Sequence, residues 1–346
     1  MKGIPLTRCV FVAPFANILS EMGAPTTSLL AKFHLPTQPE EKPHHYVPLF
    51  PALRFATKAQ DSQGLRDLGF LAGNRLSFET LNDRFQTMVH HAPTLYAALQ
   101  SLCKSVQFED NVLRVWLERH EHSLRICYAN TFPRAEDMPH LEHAQWLQNM
   151  MTIYIVRQFA GPQWTPATFA FQAHYRPSAG TLSFWPNTRF LSGQKSTWID
   201  IPASQLSQSI ITRKKLVPYP SKQRLQPLDT DIVNTLKLVL LANLDEHVPT
   251  IREAAEIVGT SVRSLQRELC LADLTYSNLL DHVRFENAAE MLRTTDAKII
   301  DVSYAAGYTN PTHFARAFHR IAGVTPREFR KKFGGTLTSL SLGRFG

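Results

Sequence analysis

Two stretches in the second half of this chain repeat one another, and no other feature narrows the possible architectures as much. Ile251 pairs with Ile299 and Gly259 with Gly307 at an offset of 48. Leu265, Arg267 and Leu269 then pair with Phe314, Arg316 and Phe318 at 49, and Thr275 with Thr325 at 50. Each stretch reads as a short helix, a glycine turn and a second helix: 250–258, Gly259 and 261–271, then 299–306, Gly307 and 310–321. That is the pattern of a helix-turn-helix. Glycine takes the positive φ such a turn needs, Ala254, Ala255, Ala305 and Ala306 let helices cross closely, and Ser261 is placed to cap the helix that follows it.

On the second helix of the first pair, Leu265 and Leu269 stand four apart and face inward. This leaves Arg263, Ser264, Gln266 and Arg267 on the outer side. In the second pair Phe314 and Phe318 turn inward, while Asn310, Thr312, His313, Arg316 and Arg320 stay available, with His319 beside them. Arginine can hold guanine with two bonds, glutamine or asparagine can do the same for adenine, and serine or threonine serves bases and phosphates. Between the pairs, 276–293 reads as a helix whose apolar face is Leu279, Leu280, Val283, Ala288 and Leu292. A rigid tandem of this kind suits double-stranded DNA, whose major grooves recur on one face every ~34 Å. Arg267 and Arg316, equivalent in the repeat, are expected to be partly structural or phosphate-directed.

The charge distribution agrees. The chain carries +8 overall, but residues 229–346 are balanced and polarised: six acids lie in 229–258, and Arg316, Arg320, Arg327, Arg330, Lys331 and Lys332 cluster in 309–332 against Glu328. Residues 213–228 hold five basic and no acidic residues together with Pro218 and Pro220, which reads as a linker.

At 346 residues the chain is long enough for two domains, and its hydrophobic content of 44% fits packed cores. Before the linker the periodicity is mixed. Helices are expected over 79–90, 94–106 and 141–159, a hairpin at 112–118 and 124–128, and strands where Phe169, Phe171, Ala173 and Tyr175 alternate and at 198–201. The fold class is therefore multidomain, an N-terminal α+β domain followed by an all-α domain with two helix-turn-helix units on a linker helix. The expected division is 1–212, linker 213–228, 229–333, and a Gly-, Ser- and Leu-rich tail 334–346 expected to be flexible.

Several chemistries are set aside. Cys9, Cys103, Cys127 and Cys270 show no ligand or disulfide spacing, which suits a reducing cytoplasm. His90-His91, His120-x-His122 and His140-x-x-His143 with Glu142 match no known ligand spacing, so no metal site is expected. No nucleophile elbow or phosphate loop is present, and no catalytic residue is assigned. Pro14 and Asn17 interrupt the apolar stretch after Arg8, so no export signal is expected, and no apolar run is long enough for a membrane span. Trp116, Phe169, Phe171 and Trp198 could line a pocket, though core packing is the commoner role of such residues.

These residues closely resemble the DNA-binding domain of AraC-family transcription regulators. The match is densest at Ala305-Ala306-Gly307-Tyr308, Phe314-Ala315-Arg316-Ala317-Phe318 and 323–330, and continues through Ser261-x-Arg263-x-Leu265-x-Arg267, Arg284, Ala288 and Leu292. It departs at Asp273-Leu274, where members usually carry glycine, and at Leu269, where phenylalanine is common. The N-terminal part resembles the arabinose-binding-type sensor domain of the subgroup that includes ornithine-utilisation regulators. Gly69, Leu81-Asn82-Asp83-Arg84-Phe85, Leu95-Tyr96-Ala97-Ala98-Leu99 and Phe171-x-x-His174-x-x-Pro177 carry that likeness. The resemblance implies a small-molecule effector of unknown identity as the only cofactor, homodimerisation, and a bacterial cytoplasmic activator of metabolic genes that contacts RNA polymerase. The alternative is a repressor, or a constitutive DNA binder whose N-terminal domain only dimerises.

Overall fold

The mixed periodicity of the first half and the uniform helical pattern of the second appear as two separate units in the computed structural model, which describes residues 4–131, 140–211 and 231–334. Among the described residues, 5–131 and 140–211 form one unit, and 231–334 together with Ile4 form the other. The linker segment 213–228 and the tail after Gly334 lie outside the described residues.

The N-terminal unit contains strands β1 (Leu6–Arg8), β2 (Tyr46–Pro48), β3 (Leu113–Arg119), β4 (Ser123–Asn130), β5 (Thr168–Ala170), β6 (Arg189–Leu191) and β7 (Thr197–Pro202). Its helices are α1 (Ala13–Glu21), α2 (Thr26–Lys32), α3 (Leu49–Gln63), α4 (Leu68–Gly73), α5 (Asp83–His91), α6 (Leu95–Ser105), α7 (Glu142–Ala160) and α8 (Ala179–Phe184). β1 and β2 pair with each other; the other five strands form one sheet in the order β3-β4-β7-β5-β6, antiparallel except for β5 with β6. The hairpin is in the expected place, with Leu113 opposite Asn130 and Arg119 opposite Leu124.

Helix α7 is buried around most of its circumference, from His143 and Trp146 through Ile153 to Phe159, as a central helix must be. Trp146 meets Phe169, Phe171, Tyr175 and Trp185 ring to ring, so the aromatics of the expected third strand are core. That strand is shorter than its alternation suggests. It ends at Ala170 because β6 offers three partners, and Phe171, Ala173 and Tyr175 stay buried on an irregular path against α7. The helix expected from Glu79 begins at Asp83, where Asn82 Oδ1 accepts from the Phe85 amide at 2.8 Å. Trp198 is buried, with the Arg125 guanidinium 3.5 Å from its ring centroid.

The C-terminal unit is helical: α9 (Ile232–Ala242), α10 (Ile251–Ile257), α11 (Val262–Leu271), α12 (Tyr276–Thr294), α13 (Ile299–Ala305), α14 (Pro311–Ala322) and α15 (Pro326–Phe333). α10–α11 and α13–α14 are the two helix pairs, and α12 joins them. α9 packs on α11 and α12, and α15 packs on α12 and α14. Ala288, Leu292, Val302, Ala306, Phe314, Phe318 and Phe329 form one core cluster around the second pair. Among the described residues no helix is long and apolar enough to cross a membrane.

Candidate nucleic-acid interface

Local chemistry fixes both turns. Gly259 sits at φ +68° and Gly307 at φ +75°, in the left-handed region where glycine has no Cβ penalty. Ser261 Oγ accepts from the Ser264 amide at 3.1 Å and starts α11; Asn310 Oδ1 accepts from the Thr312 amide at 2.8 Å and starts α14, with Pro311 in its first turn. α10 opens with a reciprocal box between Thr250 and Glu253, and α15 with one between Thr325 and Glu328. Pulled by the Thr250 amide, the Glu253 carboxyl titrates at about 2.

The amphipathic division is sharp. Leu265 and Leu269 are buried on α11, as are Phe314 and Phe318 on α14. Arg263, Gln266 and Arg267 stand exposed on the first helix, and Asn310, Thr312, His313, Arg316, Arg320 and His319 on the second. Ser264 is half-buried, its hydroxyl 3.0 Å from that of Ser261, so it also serves the cap. Asn310 likewise commits its oxygen to α14, which leaves its Nδ2 as a donor.

Neither Arg267 nor Arg316 is built into the interior. The Arg267 side chain is 70% exposed and reaches only a 3.5 Å contact with Glu268, so the expected structural share of its role is corrected downward. Arg320 pairs with Asp281 on α12 at 2.6 Å, also at the surface. The structural arginines are others. Arg284 on α12 donates to the Gly307 carbonyl at 3.1 Å and stands over the Tyr308 ring, 4.9 Å from its centroid. Asn287 donates to the Ala305 carbonyl at 2.9 Å. Arg330 donates to the Ala297 carbonyl at 2.6 Å and is half-buried, so it leaves the basic cluster, whose exposed members on α15 are Arg327, Lys331 and Lys332. Sequence reasoning placed Arg284 only by resemblance and missed Asn287, since a connecting helix gives no sign of which polar residues will meet a turn far along the chain.

The N-terminal unit holds a cavity of about 100 Å³ lined mainly by apolar side chains, among them Phe11, Phe15, Leu53, Phe85, Leu102 and Met151, with Glu109 and Asp110 also on its wall. Glu109 is paired with Arg8 at 2.8 Å, and burial pushes Asp110 up to about 7. Trp116, Phe169, Phe171 and Trp198 do not line this cavity. His120 and His122 lie exposed at the hairpin turn, whereas His140, Glu142 and His143 come together where α7 begins.

Comparison with known proteins supports both halves. Residues 254–332 match the model of a helix-turn-helix domain, and residues 23–186 match that of the arabinose-binding domain of AraC transcription regulators. The chain is 26% identical over 140 residues to the ornithine utilization regulator of Pseudomonas aeruginosa, covering 39% of this chain and 41% of that protein. It is 29% identical over 133 residues to the HTH-type transcriptional regulator CdhR of the same species, covering 37% and 39%. The matches thus span about two fifths of these two relatives. Identity to the HTH-type transcriptional activator RhaS of Shigella boydii is 31% over 226 residues, covering 64% of this chain and 75% of that one. With two helix pairs joined by one helix, an N-terminal domain of the matching kind and a relative similar over most of its length, this chain belongs to the AraC family of DNA-binding transcription regulators.

Proposed function

We propose that this protein is an effector-responsive activator of metabolic genes, acting in the cytoplasm as a homodimer, in which each chain reads two adjacent major grooves of double-stranded DNA through α11 and α14. The carrying observation is the shared division of those two helices, apolar residues buried and Arg263, Gln266, Arg267, Thr312, His313, Arg316 and Arg320 exposed. α12, at 19 residues, spans about 28 Å at ~1.5 Å per residue and separates the two pairs by a fixed length. Activation would follow from contact with RNA polymerase, a sense supported by the name of the RhaS relative as a transcriptional activator. The apolar cavity supports a small-molecule effector, with Glu109, Asp110, Tyr128 and Gln148 among the polar groups on its wall.

Selection of bound sequences from a random DNA pool by the full-length protein, with and without Arg263→Ala/Arg316→Ala at matched salt, tests the reading. The expected product is an asymmetric site with two contacted patches one helical turn apart, lost in the double variant. Gln266→Ala should relax base preference by ~1–3 kcal/mol at one position, while Arg267→Ala should weaken binding to all sequences alike. Enrichment of a single patch would reduce the reader to one groove. Identical selectivity profiles for these two single variants would remove the division of roles between them.

A further inference from the structure

Where α7 begins, three nitrogen and oxygen donors converge that have no part in DNA reading. His140, Glu142 and His143 each offer a ligand atom, and these atoms all lie within 4.8 Å of one another. His140 Nδ1 is 3.0 Å from Glu142 Oε1. The His143 ring is buried to 1% exposure, yet neither of its nitrogens has a hydrogen-bond partner. Buried polar atoms are rarely left without a protein partner, so an imidazole with two such nitrogens beside a carboxylate and a second imidazole is suited to holding a ligand. The three residues line one cavity of about 450 Å³, whose wall also includes Arg66, Trp146, Tyr175 and Arg176.

The surroundings sharpen the choice of donors. Asp67, on the same wall, is already committed: its carboxylate accepts from Tyr175 Oη at 2.7 Å, the Ser178 amide at 2.7 Å and Thr181 Oγ1 at 2.6 Å. Glu142 therefore remains as the carboxylate free to turn toward an ion. Gly69 on α4 lies so close that a Cβ there would meet His143 Cα at 2.8 Å and Nδ1 at 3.1 Å. The fold thus brings α4 against this imidazole by omitting a side chain, and the ring is confined.

We propose that His140, Glu142 and His143 bind one divalent transition-metal ion of the Zn²⁺, Co²⁺ or Ni²⁺ class, with the remaining coordination open to the cavity. Two imidazoles and one carboxylate are the ligand set such ions take, and three protein ligands leave a position for water or a small anion. Bonds of ~2.1 Å to one tetrahedral centre need donor atoms about 3.4 Å apart, so the set must tighten on binding. His140 is the donor with room to do so, its side chain being 31% exposed and its contacts being those of Nδ1 with Glu142, itself a member of the set, and with Gln60 Nε2 at 3.3 Å. The spacing His-x-Glu-His gave no such sign by itself; the confinement of His143 and the commitment of Asp67 are properties of the fold. The proposal stands apart from the DNA-binding reading and does not depend on it.

The full-length protein, without an affinity tag and stripped of metal by a chelator, is titrated with Co²⁺ and followed by visible absorption and equilibrium dialysis. The expected result is a four- or five-coordinate Co²⁺ spectrum that saturates and is displaced by Zn²⁺. Glu142→Gln and His140→Ala, both away from the deep core, should each weaken binding by at least about 10-fold with an unchanged circular dichroism spectrum. Absence of Co²⁺ binding to the unmutated protein overturns the site. So does binding that either variant leaves unchanged, because the ion would then rest on other donors.

Discussion

The first helix pair turns at Gly259 and the second at Gly307, with φ angles of +68° and +75°, yet the two glycines are surrounded differently. A Cβ on Gly259 would meet nothing within 4 Å; one on Gly307 would stand 2.5 Å from the Leu244 carbonyl oxygen. The same contrast runs through both pairs. The second is closed by rings, with Phe318 5.0 Å from Phe285 and 5.3 Å from Phe329, and Phe314 5.5 Å from Tyr308. In the first, Leu265 and Leu269 hold the corresponding places. Arg284 and Asn287 tie the connector to the second turn by hydrogen bonds to its carbonyls, while at the other end Tyr276 donates its hydroxyl to the Pro249 carbonyl. One backbone plan is thus maintained by two different sets of forces, and a substitution at equivalent positions should have unequal effects.

The largest inequality is expected at the turns. Gly307→Ala combines left-handed strain with a clash against backbone, and should cost about 3 kcal/mol or more; Gly259→Ala meets only the strain, about 1–2 kcal/mol. Native-state hydrogen exchange of α10–α11 and α13–α14 amides in the full chain reads the two effects separately. Equal losses would show that the Leu244 contact yields without cost.

Next come the exits of α11 and α14. Gly323 follows α14 at φ +71°, and its counterpart at an offset of 50, Asp273, adopts φ +55° without being glycine. Aspartate tolerates that region better than most residues but not as well as glycine. Gly323→Ala should therefore cost about 1 kcal/mol, and Asp273→Gly should stabilise by a few tenths, so the signs are opposite. If Asp273→Gly destabilised α11, a side-chain role for Asp273 would replace the conformational one.

A smaller contrast separates the first helices of the pairs. α10 has the Thr250–Glu253 box, whereas Lys298 precedes α13 without a side-chain cap. Because Glu253 titrates at about 2 in the folded chain, below the ordinary carboxylate value, its contribution is present above that ordinary value and is lost as pH falls through it toward 2. Acidification over that window should lower α10 protection in the unmutated protein and much less in Glu253→Gln. Lys298→Ser should add about 0.5–1 kcal/mol to α13, measured in the same exchange experiment at neutral pH. An unchanged α13 would mean that tertiary contacts already set its first turn.

How much of this was legible depended on whether a signal was local. Ser261 as a cap, the positive φ of Gly259 and Gly307, and the inward faces of α11 and α14 follow from spacing alone, whereas Asn310 reads as an outward contact residue and its cap of α14 emerges only in the structure. The departure at Asp273 was visible as a substitution, but that the backbone would keep the glycine conformation there was not. Long-range partners were hidden for a plain reason: Arg284 and Gly307 are 23 residues apart, and nothing in either segment names the other. The alternation from Phe169 to Tyr175 misled about strand length because burial against α7 produces the same pattern as a pleated sheet. The residues that line the apolar cavity gave no signal, since its wall is assembled from helices and loops spread between Thr7 and Met151.

The 19 residues of α12 also act as a gauge. One residue added to it would turn all that follows by about 100° while advancing it by only ~1.5 Å. One base pair added between two DNA patches turns them by about 35° and advances them by about 3.4 Å. The two increments do not match, so no single insertion on one side is corrected by a single insertion on the other. In a reader of two grooves, the bases recognised by each helix pair could drift one at a time through exposed side chains, whereas the gap between patches could change only by nearly a whole turn. Operator spacing would then be the slowest-changing part of such a regulator's binding sites.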